Sequence, residues 1–372
     1  MTLSMVRAKR LLLGSSMALI TFGIVMIYSA SAIYADETMK DSAYFLKRHL
    51  FYLTLGGGLA WWASRVNYQS LRRYATPILW SAIILLALVL VPYLGHSTGG
   101  ARRWFKILGF SFQPSEYLKI AVIFYMADYL DRKRAELSDF KRTILPALLV
   151  LGVSAGLVLK EPDLGTAFTV AFVILLLFFA AGIPWKFLIS AVIAALPVLG
   201  YAMLSKPYRR KRILAFFHPW DDPRGVGFQI IQSFLALGSG GLFGVGLGRS
   251  QQKLFFLPES HTDFIFSIIG EELGFLGAGF VILLFVIFIF AGAIILFRTP
   301  DLFSQLFALG LIGLIGLEAA INIGVSLGAL PTKGLSLPFI SYGGSALLVN
   351  MIAVGFLINI SKESTLETED KP

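Results

Sequence analysis

Leu257-Pro258-Glu259-Ser260-His261-Thr262-Asp263, running directly into the apolar stretch that opens at Phe264, is the part of the chain that decides the fold. Pro258 and the polar residues beside it do not belong in a lipid-facing segment. The run from 264 to 297 is longer than the ~20 residues a spanning helix requires, so it is expected to tilt or to extend beyond the bilayer. Asp263 therefore stands at a water–membrane boundary, and an ionisable residue there marks a candidate functional site.

Similar runs recur along all 372 residues. Hydrophobic residues make up 56% of the chain and charged residues only 15%, with mean hydropathy +0.76 and 32 Phe. A soluble domain of this length could not hide so much apolar surface. The runs do not alternate as barrel strands would, so the expected class is an all-α polytopic membrane protein. Ten spans are expected near 11–33, 47–64, 77–94, 115–130, 143–159, 165–183, 185–204, 264–297, 303–328 and 340–360. The second has the weakest signal, because Lys47 and Arg48 open it and Gly56-Gly57-Gly58 interrupts it. A single membrane domain covers 1–360, and 361–372 form a short cytoplasmic tail. Arg7, Lys9 and Arg10 before the first run read as an uncleaved signal anchor rather than a cleaved leader. With no Cys, the chain has no disulfide, thiolate metal site or cysteine nucleophile.

Lys and Arg are concentrated in the short segments on the side of the N-terminus, Arg65, Arg72, Arg73 and the 132–142 stretch among them. This predicts cytoplasmic N- and C-termini. The 205–262 segment, between the seventh and eighth spans, then lies outside and is expected to be open to solvent, Ser250 included. It breaks the charge rule with Lys206, Arg209, Arg210, Lys211, Arg212, Arg224, Arg249 and Lys253. Positive charge on the translocated side invites an anionic ligand or acidic head groups. Within this segment Phe228 to Leu237 has helical spacing but is too short to span, so it reads as an interfacial or re-entrant helix. The glycines from 238 to 248 suit bends or close backbone approach. Their spacing fits neither G-x-G-x-x-G nor the P-loop.

His49, His96, His218 and His261 are scattered without an H-E-x-x-H pair, and the G-x-S-x-G spacings at 152–156 and 324–328 lie inside apolar runs rather than at a strand-to-helix elbow, which argues against a catalytic zinc and a serine hydrolase. Carboxylates and cations remain. Asp263, Ser267, Gly270, Gly274 and Gly277 would form one small-residue stripe on the eighth helix. Asp263 itself reads equally as a helix cap or as a catalytic carboxylate. Glu271 and Glu272 read as buried structural groups. Glu116 and Lys119, three apart on the fourth helix, read as an ion pair, the alternative being that Lys119 lends charge to a cavity. Glu318 and Asn322 share a face of the ninth helix. Arg102 and Arg103 have the fork geometry that suits a diphosphate.

The chain resembles the SEDS family, the FtsW/RodA lipid II polymerases of bacterial cell-wall synthesis. The resemblance rests on Gly100-Ala101-Arg102-Arg103-Trp104, Gln113-Pro114-Ser115-Glu116, the run from Glu161 to Ala167, Leu257 to Gly274, Asn322-Ile323-Gly324 and Leu337 to Ser345. Pro331-Thr332-Lys333-Gly334-Leu335 resembles the FtsW branch. Glu318 departs from the pattern, Gln being the family's usual residue there.

The resemblance implies ten transmembrane helices, an extracytoplasmic active site and an essential aspartate at Asp263. Asp263 would take the proton from the acceptor's 4-hydroxyl during glycosyl transfer, releasing undecaprenyl diphosphate. Arg102, Arg103, Lys119 positioned by Glu116, Arg209, Arg210 and Lys333 are the candidates to bind the lipid II diphosphates. The implied partners are lipid II, a class B penicillin-binding protein and other divisome proteins, with no nucleic acid. No cofactor is required by the residues, and a divalent cation (Mg or Mn) is left open. The alternatives are a lipid II flippase, an elongation-type polymerase and a scaffold for the transpeptidase.

Overall fold

The computed structural model describes residues 4–98, 101–107, 109–204 and 207–369. In chain order the helices are α1 (Met5–Met39), α2 (Tyr44–Ala63), α3 (Tyr68–Leu71), α4 (Ala75–Leu90), α5 (Pro114–Arg132), α6 (Leu145–Lys160) and α7 (Leu164–Ala181). They continue with α8 (Trp185–Leu204), α9 (Pro207–Phe217), α10 (Phe228–Gly240), α11 (Ile265–Arg298), α12 (Leu302–Ser326) and α13 (Gly344–Glu369). Among the described residues, seven helical segments are long and apolar enough to cross a membrane, those of α1, α4, α6, α7, α11, α12 and α13. The other three expected spans coincide with α2, α5 and α8.

α5 shows why its sequence signal is weak. It is buried on nearly every side, with Gly310 of α12 against Ile123 and Phe124 between Phe303 and Phe307. A helix wrapped by protein can carry Glu116, Lys119 and Asp128, because neighbouring helices supply their partners. Around this core, α1 packs along α11, with the Phe22 and Phe280 rings 6.2 Å apart. α2 packs along α13, where Gly355 lies against the backbone of Ala60 and Asn359 donates to the carbonyls of Ala63 and Val66.

The link between α4 and α5, expected as a loop, contains a small antiparallel sheet, β1 (His96–Thr98), β2 (Ala101–Ile107) and β3 (Phe110–Phe112), in the order β1-β2-β3. Gly109, with φ +82°, turns β2 into β3. The second departure is in α11. The expected uninterrupted helix is broken at Gly274, with φ 68° and ψ −165°. The 238–248 glycine loop enters the break. Val245 and Gly246 donate to the carbonyls of Glu271 and Glu272 at 3.0 Å, and Phe275 and Leu276 donate to Gly241 and Leu242 at 2.9 and 3.2 Å. Four backbone groups beside the break thus find loop partners, as a low-dielectric setting favours. The limb from Phe275 to Arg298 still suffices to span, which accounts for the surplus length of the run.

The break also divides the expected small-residue stripe. Ser267 bonds Ser233 of α10, Gly270 lies under Gly240, and Gly277 begins the other limb. α10 is the helix expected inside the 205–262 segment, with its Ile230, Ile231 and Ala236 face buried. Ser250 is buried, at 2% exposure, contrary to the solvent-open expectation, because its hydroxyl serves Glu271.

Gly274 occupies a backbone region that essentially only glycine enters, and a Cβ there would lie 2.4 Å from the Gly244 nitrogen. Gly274→Ala should therefore lower stability by at least about 1–3 kcal/mol, read as a depressed unfolding temperature of the purified protein. An unchanged transition would mean that the break is not required for the fold.

Candidate functional site

Two loops meet beside the start of α11. The first, 257–263, turns through Glu259, whose carbonyl accepts from Thr262 and Phe264. The second, 331–343, folds back into the bundle until the Phe339 carbonyl and the Ile340 Cα rest on Gly23 of α1. Ser341 Oγ donates to the Thr262 carbonyl at 2.6 Å and accepts from Leu337 N at 2.8 Å, while Tyr342 N donates to the His261 carbonyl at 3.0 Å. Asn322 on α12 then joins both loops, donating from Nδ2 to the carbonyls of Asp263 at 2.9 Å and Leu335 at 2.7 Å.

The Asp263 side chain is left out of this web. It is half-buried and makes no hydrogen bond among the described residues. It does not cap α11, whose cap position is Phe264 without a side-chain bond, so the capping reading is excluded. Gly334 faces it, since a Cβ on that glycine would lie 3.3 Å from Asp263 Oδ2. Burial pushes the carboxyl up to about 7. The charges of Glu259 and Asp163 act in the same direction, and those of Arg212 and Arg103 oppose it.

The facing wall comes from the link between α6 and α7. Arg103 donates to the carbonyls of Glu161 at 2.9 Å and Pro162 at 2.7 Å, with Asp163 Oδ2 3.6 Å away. Asp163 also caps α7, accepting from Thr166 N at 3.0 Å. Glu161 is fully buried, with the Ser115 hydroxyl beside its carboxyl. Burial, reinforced by Asp163 and opposed by Arg103, pushes it up to about 8. Lys333 lies 4.7 Å over the Phe168 ring, with its ammonium pKa lowered by burial and partly restored by Asp163.

Behind this chamber Lys119 pairs with Glu116 at 2.7 Å, as its helical spacing suggests, and also with Glu318. Glu318, the residue that departs from the family pattern, is therefore a second counter-ion to a buried ammonium. Glu271 and Glu272 form a separate buried cluster. Lys253 bonds Glu272 at 2.8 Å, Ser29 bonds Glu272 at 2.6 Å, and Gln251 N bonds Glu271 at 2.9 Å. Lys253, counted among the loop cations, thus pins its segment to the broken helix.

The structure brings the charge of Arg103 to Asp263 and that of Asp163 to both Asp263 and Lys333, while Glu116 and Lys119 pair within the bundle. It separates Arg102, which is exposed, from Arg103, because adjacent strand residues face opposite ways. Arg210 is exposed on α9, and the Arg209 side chain lies outside the described residues, as does Lys206. Arg212 is the loop cation whose charge acts on Asp263. Nothing in its local sequence distinguishes it from its neighbours.

These features define a polytopic membrane protein with a carboxylate-and-cation chamber at one end of its bundle, suited to proton transfer beside an anionic group. The profile of the FtsW/RodA/SpoVE cell cycle proteins matches residues 9–366, and the chain belongs to that family. It is 45% identical to a probable peptidoglycan glycosyltransferase FtsW of Geobacter metallireducens, over 93% of this chain and 92% of the relative. It is 41% identical to the stage V sporulation protein E of Bacillus subtilis, over 94% and 95% of the two chains. Among solved structures, a chain from a peptidoglycan synthase complex superimposes with a TM-score of 0.79 at 31% identity, covering 95% of this chain and 97% of the other. The rod shape determining protein RodA of Thermus thermophilus gives 0.68 at 27% identity, covering 95% and 96%.

Removing the Lys119 ammonium would strand two buried carboxyls. Lys119→Ala should cost at least about 3 kcal/mol and reduce the yield of folded protein. Glu318→Gln should stay within about 1 kcal/mol of the parent, because the amide oxygen still accepts from Lys119 while Glu116 balances its charge. Thermal unfolding of both variants checks this, and a stable Lys119→Ala protein would remove the ion pair from the structural core.

Proposed function

We propose that the chain is a peptidoglycan glycosyltransferase that polymerises lipid II during cell division, with the Asp263 chamber as its active site and Asp263 as general base. The observation that carries this reading is a half-buried carboxylate with no side-chain hydrogen bond among the described residues and a pKa of about 7, on which the charge of Arg103 acts and which faces Gly334, the neighbour of Lys333. A base works best when its pKa lies near the operating pH. The ionised carboxylate accepts the proton of the acceptor N-acetylglucosamine 4-hydroxyl. That oxygen bonds to the anomeric carbon of the donor N-acetylmuramic unit, whose bond to the diphosphate breaks, and undecaprenyl diphosphate leaves with the electron pair. Arg103, Lys333 and Arg212 stabilise the diphosphate charge as it develops. No group of three or more His, Asp or Glu side chains that could hold a metal occurs among the described residues.

The chamber faces the extracytoplasmic side, both termini are cytoplasmic, and the membrane is the bacterial inner membrane. A class B penicillin-binding protein and other divisome proteins are the proposed partners. Ten spans, α2, α5 and α8 included, are consistent with this arrangement. Arg224 is exposed in the 205–262 segment and offers a probe in this cysteine-free chain. Arg224→Cys should react with an impermeant maleimide in intact spheroplasts, and labelling only after lysis would invert the topology.

Asp263→Asn keeps the shape and cannot take the proton. Polymerisation of supplied lipid II should fall about 10²–10⁴-fold while the unfolding temperature holds. In the parent enzyme log kcat/KM should rise with unit slope up to about pH 7 and level off above it, since only the ionised carboxylate is a base. A profile flat from pH 5 to 8, or a variant at parental rate, would remove Asp263 from that role. The buried charges deeper in the bundle, Lys119 with Glu116 and Glu318, favour a flippase as the second reading. Transport of lipid II across liposomes without any glycan product, even with the transpeptidase present, would decide for it.

A further inference from the structure

At the end of α5 remote from the chamber, a cavity of about 320 Å³ opens between α4 and α5, lined by Arg72, Arg73, Thr76, Asp128 and Arg132. Its construction is asymmetric. Asp128 is buried and both its oxygens are taken, one by Arg72 Nε and the other by Arg132 Nε, each at 2.8 Å. Asp131 takes a second nitrogen of Arg72, and the Arg72 guanidinium lies 4.4 Å over the Phe303 ring. The two carboxylates therefore brace the arginines rather than occupy the cavity. Arg72 Nη1, both terminal nitrogens of Arg132 and the whole Arg73 head group make no hydrogen bond among the described residues. The Arg132 side chain is 54% exposed, and the Arg73 guanidinium lies 4.8 Å over the Tyr74 ring. Three guanidinium groups against two carboxylates leave net positive charge around open donors.

The cavity also has a direction. Thr76 begins a row at helical spacing along α4, Thr76, Trp80, Ile84 and Leu88, and the apolar members are 57%, 53% and 39% exposed. A row of this kind on a spanning helix faces hydrocarbon, and Trp belongs at its interfacial end. The arginine cavity therefore stands at head-group level with an apolar track leading away from it. An inorganic anion has no use for that track, whereas a lipid with a phosphate head and acyl chains fills both parts. Basic pockets between transmembrane helices bind anionic head groups for this reason, and the guanidinium fork matches two phosphate oxygens at once.

We propose that this cavity is a binding site for the phosphodiester head group of an anionic phospholipid. Arg73 and Arg132 donate to the phosphate, Thr76 offers its hydroxyl, and an acyl chain lies along Trp80 and Ile84. Arg72 is held by Asp128 and Asp131 as the fixed floor. The site does not depend on the reaction assigned to the chamber, with which it shares no residue.

The full-length protein, delipidated and returned to nanodiscs of phosphatidylcholine with graded phosphatidylglycerol, tests this by native mass spectrometry and thermal unfolding. The parent should retain phosphatidylglycerol preferentially and unfold at a higher temperature in its presence. Arg73→Gln breaks no hydrogen bond among the described residues and should weaken that binding about fivefold, with Arg73→Gln/Arg132→Gln weakening it about 25-fold. Glycan polymerisation by Arg73→Gln in neutral detergent should match the parent. Equal phosphatidylglycerol affinity in the parent and the double variant overturns the proposal. So does stabilisation by millimolar inorganic phosphate equal to that by the lipid, which would make the cavity a site for a free anion.

Discussion

The carboxamide nitrogen of Asn322 directs its two hydrogens to two different loops, and the geometry of the chamber depends on that pair of bonds. Both loops are partly buried at one end of the helix bundle, and a buried backbone carbonyl without a partner there costs as much as a lost hydrogen bond or more. Asn322 satisfies one carbonyl on each, Ser341 a third, and the Tyr342 N–H pairs with a fourth. Because the backbone needs of 257–263 are met from α12 and from 331–343, the Asp263 side chain is not drawn into holding the loop. It lies at the junction where Asn322 and Ser341 join the two loops, with no side-chain hydrogen bond among the described residues.

The same requirement for internal partners shapes the rest of the bundle. A helix of 34 residues could have run straight, yet α11 turns aside at Gly274 and the glycine loop supplies the hydrogen bonds that the break removes. The break tips the limb carrying Ser267 and Gly270 towards α10, and the loop that fills it delivers Ser250 and Lys253 to Glu271 and Glu272. One backbone irregularity thereby connects the segment ahead of Asp263 to α1 through the Ser29–Glu272 bond.

Charges are arranged by depth. In the interior Lys119 is matched by carboxyls on α5 and α12, an arrangement in which each group is tolerated only because the others are present. Towards the two ends of the bundle the pairing is incomplete. Among the described residues, Asp263 has no side-chain donor at one end, and Arg73 no carboxylate partner at the other. Open valence at the ends and closed pairs between them support chemistry at one face of the bundle over a continuous polar path through it.

The class of protein was legible from composition and run length, because hydrocarbon admits only self-satisfied helices and the runs are too long and too numerous for anything else. Asp263 stood out for the same reason, as did the Glu116–Lys119 pair, whose spacing alone places both groups on one helical face. The helix within 205–262 was readable from its 3.6-residue period. Local sequence did not contain the break at Gly274, since a glycine in a helix and a glycine that ends one look alike until the loop that fills the gap is in place. Nor did it separate Arg102 from Arg103, because it gave no sign of the strand that turns them to opposite faces. Arg212, Lys253 and Glu318 acquired their roles from partners 19 to 199 residues away or from the field at a distant carboxylate. Pairings of that range are decided by how helices pack, so only the tertiary structure could assign them.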